Sequence, residues 1–471
     1  MIKFRACYIA YAAAALLIIS CLSYFYNWMN MAGFAAFVLF ALILGLWKRE
    51  FALYLAFLEL TMGSFGYLLS FHAWGLNLSL RMALFAVIMG LWAYDLIVNR
   101  KSQISSFKIN RRAVFSLALF LIIWIFGILE GYLRGNNLAD IALDSNSYLF
   151  LLLFFPAIAY INTKEKLDNL LKIILVGAGA TALLTFLLLI TFSKLGNQNL
   201  LEIIYKWVRD FRIGEITPLK NGSYRIFLQS QIYVVMGLLI VSARHLFKDI
   251  NFKKFLIFGA LSAGAIYLSL SRSLWIGTVA GIIALFIFSL CIMKRGIIKP
   301  LIRVLAVIFI GILIASMLTP KSSLQNRFII GEAAADTRIS QLKVLAPAIA
   351  HSPIFGYGFG KTLTYKSFDP RLGDSKNGNL YTTYAFELGY LDIILKIGIF
   401  GLLVLMYFIS IIAWRLFKNY KENPQACPYS LWALSGLIAL LAIHIFTPYI
   451  NHPLGIGILI LAGTAASIDK K

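Results

Sequence analysis

The segment His351-Ser-Pro-Ile-Phe-Gly-Tyr-Gly-Phe-Gly360 is the most strongly punctuated part of a long polar stretch in an otherwise apolar chain. The stretch begins at Thr319, where an apolar run stops, and it returns to apolar sequence between Glu387 and Gly401. Binding and catalytic residues concentrate on loops that a rigid scaffold positions. We therefore expect the functional site to lie in or beside the segment Thr319–Gly401.

The rest of the chain has the composition of a membrane protein. Of its 471 residues, 61% are hydrophobic and only 13% are charged, whereas about a quarter of a soluble domain is charged. Apolar runs of roughly 20 residues recur between Lys/Arg clusters, and alternating strands of a membrane barrel are absent. The sequence predicts one all-α, polytopic transmembrane domain over residues 1–471. The predicted spans are 7–26, 30–47, 51–71, 79–98, 113–132, 147–161, 168–192, 227–243, 255–270, 274–293, 304–318, 398–416, 429–447 and 453–468.

The net charge of +23 reflects membrane orientation better than it reflects nucleic-acid binding. Much of the positive charge lies in short connections such as Lys48-Arg49 and Arg111-Arg112, as the positive-inside rule requires of cytoplasmic loops. This places both termini in the cytoplasm, with about fourteen spans. We read the N-terminal apolar run as an uncleaved first helix, because no convincing cleavage site follows it.

Two long connections then fall on the outer face: 193–226 and the main loop, 319–397. Long loops of compact proteins are usually functional or disordered. Both contain apolar residues at helical spacing, which predicts short amphipathic helices on the membrane surface. These apolar residues are Leu200, Ile203, Ile204, Trp207, Phe328 and Ile329.

Nucleotide and metal sites are not indicated. The chain contains no GxxxxGK[ST] motif, no convincing GxGxxG motif after a strand, no Asp-x-Asp pair and no Cys/His pattern typical of a metal site. We therefore expect no cofactor. The sequence Gly356-Tyr-Gly-Phe-Gly360 lies in the outer loop, where nucleotides are scarce, and we favour a tight turn over direct ligand binding.

Five basic residues run against the orientation rule, because they lie at or near the outer ends of predicted spans. Guanidinium groups bind phosphates in a bidentate manner, and a membrane rim strengthens such contacts. A lipid diphosphate would lie at this depth. The alternative is that these side chains extend to lipid headgroups; for Arg272, between two apolar spans, we favour the functional interpretation. The five residues are Arg212, Arg225, Arg272, Arg338 and Lys361.

Two carboxylates, Glu387 and Asp392, lie where the loop turns back into the membrane. Acidic residues at membrane depth are costly and tend to be functional. Either one could take a proton from an acceptor hydroxyl group. The alternative for both is an ion pair with an arginine of the loop.

With these motifs, the segment from about Tyr224 to Leu416 resembles the O-antigen ligase/polymerase superfamily of bacterial membrane glycosyltransferases. The motifs that carry the resemblance are Ser269-Leu-Ser-Arg-Ser-Leu-Trp-Ile-Gly277, Asp336-Thr-Arg338, Ala348-Ile-Ala-His-Ser-Pro-Ile-Phe-Gly-Tyr-Gly-Phe-Gly360 and Gly398-x-x-Gly401. Each motif is loose, and their order and spacing are more specific.

The resemblance implies a GT-C-type helical fold in the bacterial inner membrane, with its active site at the periplasmic face. The donor would be an undecaprenyl-diphosphate-linked oligosaccharide, and transfer would need neither metal nor nucleotide. Residues matching Arg225, Arg272 and Arg338 would bind the diphosphate and stabilise its developing charge. Membrane lipids, a flippase and a chain-length regulator of the same pathway would be partners, and nucleic acid would not.

One departure from the ligase pattern favours a polymerase. Ligases of this superfamily usually carry His-Asn before the Gly-x-x-Gly helix, with the His as the proposed base, whereas this chain carries Glu387-Leu388 there. The pattern Glu387-x-x-Tyr390-x-Asp392 resembles the chain-extending polymerases. It implies that Glu387 is the base and that Tyr390 and Asp392 orient it. A ligase acting on lipid A-core or protein stays the nearest alternative; a flippase would show similar halves or helices interrupted at the midplane.

Overall fold

The computed structural model describes residues 6–73, 76–98, 111–219, 222–292, 296–319, 333–368, 379–422 and 428–468. The longer elements are almost all helical, and three short antiparallel hairpins pair β1 with β2, β3 with β4 and β5 with β6. The strands are β1 Ser70–Ala73, β2 Leu76–Ser79, β3 Gly214–Pro218, β4 Tyr224–Leu228, β5 Leu363–Lys366 and β6 Leu380–Thr383. The α-helices are α1 Ala6–Phe25, α2 Asn27–Trp47, α3 Arg49–Met62, α4 Leu80–Val98, α5 Arg111–Leu133, α6 Leu138–Ser145, α7 Phe154–Tyr160, α8 Lys164–Lys194, α9 Gln198–Asp210, α10 Gln231–Leu246, α11 Phe252–Leu268, α12 Arg272–Ile292, α13 Ile298–Met317, α14 Ala333–His351, α15 Gly389–Glu422, α16 Pro428–His444 and α17 Pro453–Ser467.

The predicted all-α, polytopic membrane fold is confirmed. Each apolar segment predicted from the sequence contains helix. Within the described ranges, nine helical stretches are long and apolar enough to cross a membrane, and α10, α16 and α17 are shorter apolar helices. The interior helices α10 and α17 bury nearly all of their residues, whereas α1 and α13 expose much of their apolar surface, as lipid-facing helices do.

Three boundaries differ from the predicted spans, each for a local reason. The span predicted as 51–71 is helical only to Met62, because the following turn requires left-handed backbone at Ser64 (φ 46°) and Gly66 (φ 93°). The span predicted as 147–161 is a 3-10 helix, Asn146–Leu153, that continues into α7. Helix α15 begins at Gly389, well before the predicted start at 398, and it is broken at Gly398.

Side-chain contacts divide the bundle into two ends. At the end that we call the loop end, Asn30 contacts Ser70, and Arg225 contacts Ser269. At the opposite end, Arg49 forms a bidentate ion pair with Asp95, which also accepts a hydrogen bond from Tyr160. Among the described residues, the three hairpins, α9 and α14 all lie at the loop end.

The loop between α8 and β4 contains the amphipathic helix predicted there. Helix α9 buries Trp207 and Val208, and the indole Nε1 of Trp207 donates a hydrogen bond of 3.2 Å to Ser20 Oγ of α1. Leu200, on the same helix, stays exposed. The second amphipathic helix, predicted around Phe328 and Ile329, lies outside the described residues.

Candidate active site

A small hydrophobic cluster attaches the loop to the bundle at the start of α15. Four buried side chains form it: Leu345 of α14, Tyr365 of β5, Leu395 of α15 and Phe386, which precedes α15. It is separate from the large core of the membrane helices. Glu387 follows directly after Phe386, so burial of the phenylalanine fixes the backbone that carries this carboxylate.

The predicted base and one predicted diphosphate ligand lie together. Arg338 Nη2 of α14 is 2.8 Å from Glu387 Oε2. The side chains are 25% and 43% exposed, respectively, so solvent and ligands reach the pair. This contact is the ion pair with a loop arginine that we gave above as the alternative role of Glu387. It also brings the predicted base next to a residue predicted to bind the diphosphate.

Two side chains hold the backbone at Glu387. Gln341 Oε1 accepts a hydrogen bond of 3.0 Å from Glu387 N–H, and Asp392 Oδ1 accepts one of 3.3 Å from Phe386 N–H. Gln341 is 1% exposed, and its amide nitrogen donates to Tyr365 Oη at 3.0 Å. Sequence reasoning missed Gln341; its spacing of three residues from Arg338 places both on one helix face and was the available signal.

Asp392 belongs to a buried polar network that reaches across the bundle. Its Oδ2 accepts hydrogen bonds from Lys396 Nζ at 2.7 Å and from Asn451 Nδ2 at 2.6 Å. Lys396 Nζ also lies 2.5 Å from Asp144 Oδ1, and Asp144 Oδ2 accepts from Gly360 N–H at 3.0 Å. Charges buried in this way persist only when they are paired and hydrogen-bonded. Asp144, Lys396 and Asn451 were not predicted. Asp144 and Lys396 closely precede the predicted spans 147–161 and 398–416, and a charged residue at membrane depth was a signal for these two.

The glycine-rich segment serves close backbone packing. Gly356, Gly358 and Gly360 all have positive φ, between 73° and 77°. A Cβ atom on Gly358 would lie 2.0 Å from the backbone nitrogen of Gly131 in α5, and one on Gly356 would lie 2.6 Å from the backbone of Lys396. These contacts agree with the tight turn favoured from the sequence, since any larger residue would separate the loop from the helices.

Arg225 and Arg272 lie on either side of one turn. Arg225 is on β4, and its Nε donates a hydrogen bond of 3.0 Å to the carbonyl group of Ser269. Its Nη1 is 3.7 Å from Glu215 Oε2 in the paired strand. Arg272 is the first residue of α12, directly after a turn in which Leu270 has a φ of 47°. The hairpin β3–β4 therefore holds Arg225 beside the turn that precedes Arg272, so two of the residues predicted to bind the diphosphate lie near the same turn.

The remaining predicted site residues make other contacts. Arg212 is exposed, and its guanidinium group lies 5.4 Å from the centre of the Tyr67 ring. Lys361 Nζ lies 4.9 Å from the centre of the Tyr357 ring. Tyr390 packs against α16, where its hydroxyl group donates to the carbonyl of Leu441 at 2.9 Å. The ligand-binding roles of these three residues stay predictions.

Among the residues that the structure describes, no three His, Cys, Asp or Glu side chains come together in an arrangement that could hold a metal ion. The polar side chains gathered at the loop end are instead arginines, one lysine, carboxylates and amides, which suit an anionic ligand and proton transfer.

The comparison with protein families matches the part of the chain that carries most of this site. Residues 257–406 match the family model described as O-antigen ligase (Wzy_C). A search of curated proteins finds no match. The matched segment runs from α11 into α15 and includes Arg272, Arg338, Gln341 and Glu387, whereas Arg225 precedes it. The chain is therefore a multi-pass membrane protein, and its residues 257–406 are similar to the O-antigen ligase family.

Proposed function

We propose that this protein is an inner-membrane glycosyltransferase that polymerises undecaprenyl-diphosphate-linked oligosaccharide repeat units into O-antigen or a related surface polysaccharide. The loop end of the bundle faces the periplasm. The match to the O-antigen ligase family supports the substrate class, a lipid-linked oligosaccharide. The single observation that carries the proposal for the site is the 2.8 Å contact between Arg338 and Glu387 within that matched segment.

The reaction needs a base for the acceptor and cations for the leaving group. A hydroxyl group of the acceptor sugar attacks C1 of the donor sugar, its proton passes to the Glu387 carboxylate, and the bond between C1 and the diphosphate oxygen breaks. Undecaprenyl diphosphate leaves with the bonding electrons. General base catalysis of this kind contributes about 100-fold to 10,000-fold to the rate.

Arg225, Arg272 and Arg338 bind the diphosphate and stabilise the charge that develops on it. Arg338 forms an ion pair with Glu387. A diphosphate offers the guanidinium group more acceptor oxygens than one carboxylate does. Donor binding therefore draws Arg338 toward the phosphates and frees the Glu387 carboxylate to accept a proton, which couples base activation to donor binding.

A ligase is the second candidate, and the description of the matching family favours it. A ligase would transfer finished glycan to lipid A-core or to a protein. We favour the polymerase because Glu387 occupies the place where ligases usually carry histidine. The two activities use the same donor chemistry and differ in their acceptor.

Glycan gels distinguish these possibilities. A strain that lacks the protein is complemented with the wild type, with Glu387→Gln or with Glu130→Gln. Glu130 is the matched control, because it is also a carboxylate paired with an arginine, Arg134, but lies on α5. For a polymerase, the wild type and Glu130→Gln restore the ladder, while Glu387→Gln leaves a single repeat unit on the final acceptor.

Two other outcomes would contradict parts of the proposal. Loss of all surface glycan, with long chains accumulating on undecaprenyl diphosphate, would establish a ligase. A full ladder in Glu387→Gln would remove Glu387 from the mechanism without excluding the activity.

A further inference from the structure

The described part of α14 presents three polar side chains that accept hydrogen bonds from backbone N–H groups of the loop. Thr337 Oγ1 accepts from Phe368 at 3.0 Å, and Ser340 Oγ accepts from Lys366 at 3.2 Å. Gln341 Oε1 accepts from Glu387 at 3.0 Å. The first two contacts hold the region of β5. The third holds the residue that carries the proposed base.

Gln341 differs from its two neighbours in how firmly its own position is fixed. It is 1% exposed and lies beside the buried cluster of Leu345, Tyr365 and Phe386. Its Nε2 donates to Tyr365 Oη at 3.0 Å, so both ends of the amide are hydrogen-bonded. A buried amide held at both ends has one orientation, because reversing it would leave two polar groups unpaired.

The same helix turn carries Arg338, which contacts the Glu387 side chain. One residue of α14 therefore contacts the carboxylate, and another, three positions later, contacts the backbone nitrogen of the same glutamate. Asp392 Oδ1 accepts the preceding N–H group, that of Phe386, from the side of α15. The backbone at 386–387 is consequently held between a loop helix and a membrane helix.

We propose that Gln341 is a positioning residue that sets the distance between the Glu387 carboxylate and the diphosphate-binding face of α14. This inference rests on the proposed function of Glu387. Gln341 touches no substrate; it fixes the backbone from which the base projects. Without it, Glu387 would still carry its carboxylate and Arg338 would still bind anions, but the two would no longer be held at a constant separation.

The test measures turnover and donor half-saturation separately. Purified protein in detergent is given lipid-linked repeat units extracted from a strain that lacks it, and glycan transfer is followed for the wild type, Gln341→Leu, Tyr365→Phe and Ser340→Ala. Leucine removes both hydrogen bonds at similar volume. Displacing a catalytic group by about 1 Å can cost about 100-fold in rate.

We expect Gln341→Leu to lower turnover at saturating donor about 10-fold to 100-fold, with half-saturation within about twofold of the wild type. Tyr365→Phe leaves the acceptor of Glu387 N–H in place and removes one anchor of Gln341, so its turnover falls less. Ser340→Ala, which removes the neighbouring backbone contact, keeps wild-type turnover. Gel filtration gives the fraction of each protein that elutes as a monodisperse peak, and each rate is divided by this fraction.

Three results would overturn the inference. One is undiminished turnover in Gln341→Leu; if that variant does not fold, undiminished turnover in Tyr365→Phe has the same meaning. Another is an equal loss in Ser340→Ala, which would indicate general loosening of the loop. The third is full activity of Glu387→Gln, because Gln341 acts through Glu387. Failure of the proposed function is separate: the wild-type protein itself would transfer no glycan.

Discussion

Lys396 Nζ lies 2.5 Å from Asp144 Oδ1, although 252 residues separate the two positions in the chain. Their side chains are 4% and 5% exposed. Asp392 is the third charged member, so two carboxylates share one ammonium group inside the bundle. This joins the first two turns of α15, which begins two residues after Glu387, to α6 in the first third of the chain.

Replacing Lys396 should destabilise the protein strongly. Lys396→Met leaves Asp144 and Asp392 buried without a cation, and breaking a buried ion pair costs roughly 3–5 kcal/mol. The matched control is Lys418→Met on the same helix: Lys418 is 64% exposed and lies 3.9 Å from Glu422. An exposed pair contributes about 0–1 kcal/mol, so the control should unfold close to the wild type. Thermal unfolding in detergent measures both; equal unfolding temperatures would contradict the structural role.

Gly358→Ala should separate the loop from α5. The added Cβ atom would lie 2.0 Å from the Gly131 nitrogen, and Gly358 has a φ of 76°. Gly135→Ala is the control, because its φ is also 76° but nothing lies within 4 Å of its Cβ position. Both variants incur about 1–2 kcal/mol for left-handed backbone. Limited proteolysis should therefore cleave Gly358→Ala faster than Gly135→Ala, because only the first variant also clashes with α5. Equal cleavage of the two variants would rule out this contact.

Arg338→Gln should weaken donor binding. The change removes a cation that contacts Glu387 and that we assign to the diphosphate. Hydrogen bonds to charged groups contribute about 1.5–3 kcal/mol, which corresponds to roughly a 10-fold to 100-fold rise in half-saturation by donor. Arg134→Gln, at an exposed arginine paired with Glu130, should leave it unchanged. Donor titration of glycan transfer gives the numbers, and an unaltered half-saturation in Arg338→Gln would exclude the assignment.

Cysteine labelling tests the orientation of the bundle. Helix α8 runs for 31 residues, about 46 Å, from the end opposite the loops to the loop end. In a background without native cysteines, Gly196→Cys, beyond its C-terminus, should react with an impermeant maleimide from the periplasm. Asn162→Cys, before its N-terminus, should react only after the membrane is opened. The reverse pattern would place the site on the cytoplasmic side.

The sequence predicted the helices well because each membrane span is encoded by a continuous apolar run of sufficient length. The amphipathic helix α9 was predicted for the same reason, from apolar residues at helical spacing. The pairing of Asp144 with Lys396 was not, since no local pattern relates residues 252 positions apart. The hairpins were also missed: strands of four or five residues inside loops give too short a pattern to recognise.

Within the site, the sequence indicated residue types and the structure supplies their partners. Arg338 and Glu387 were singled out separately, for charge at the membrane rim, and the fold brings them together. Gln341 has no charge and belongs to no motif; its spacing from Arg338 was the one signal in the sequence, and its buried contact with Glu387 N–H identifies its role. Tyr390 fits the superfamily pattern, yet its hydroxyl group is bonded to Leu441 of α16.

The break in α15 determines how the loop can move. Gly398, at φ 69°, interrupts the helix, and the N–H groups of Ile399 and Phe400 donate to the carbonyls of Pro353 and Ile354 in the loop. In return, residues 357 and 358 donate to the carbonyls of Leu395 and Lys396. Residues 353–358 of the loop thus exchange backbone hydrogen bonds with residues 395–400 of α15, at the break in this helix. Lifting this segment away from α15 would break these four backbone hydrogen bonds, at about 1 kcal/mol each, so the segment forms a fixed wall beside α15 and not a hinged flap.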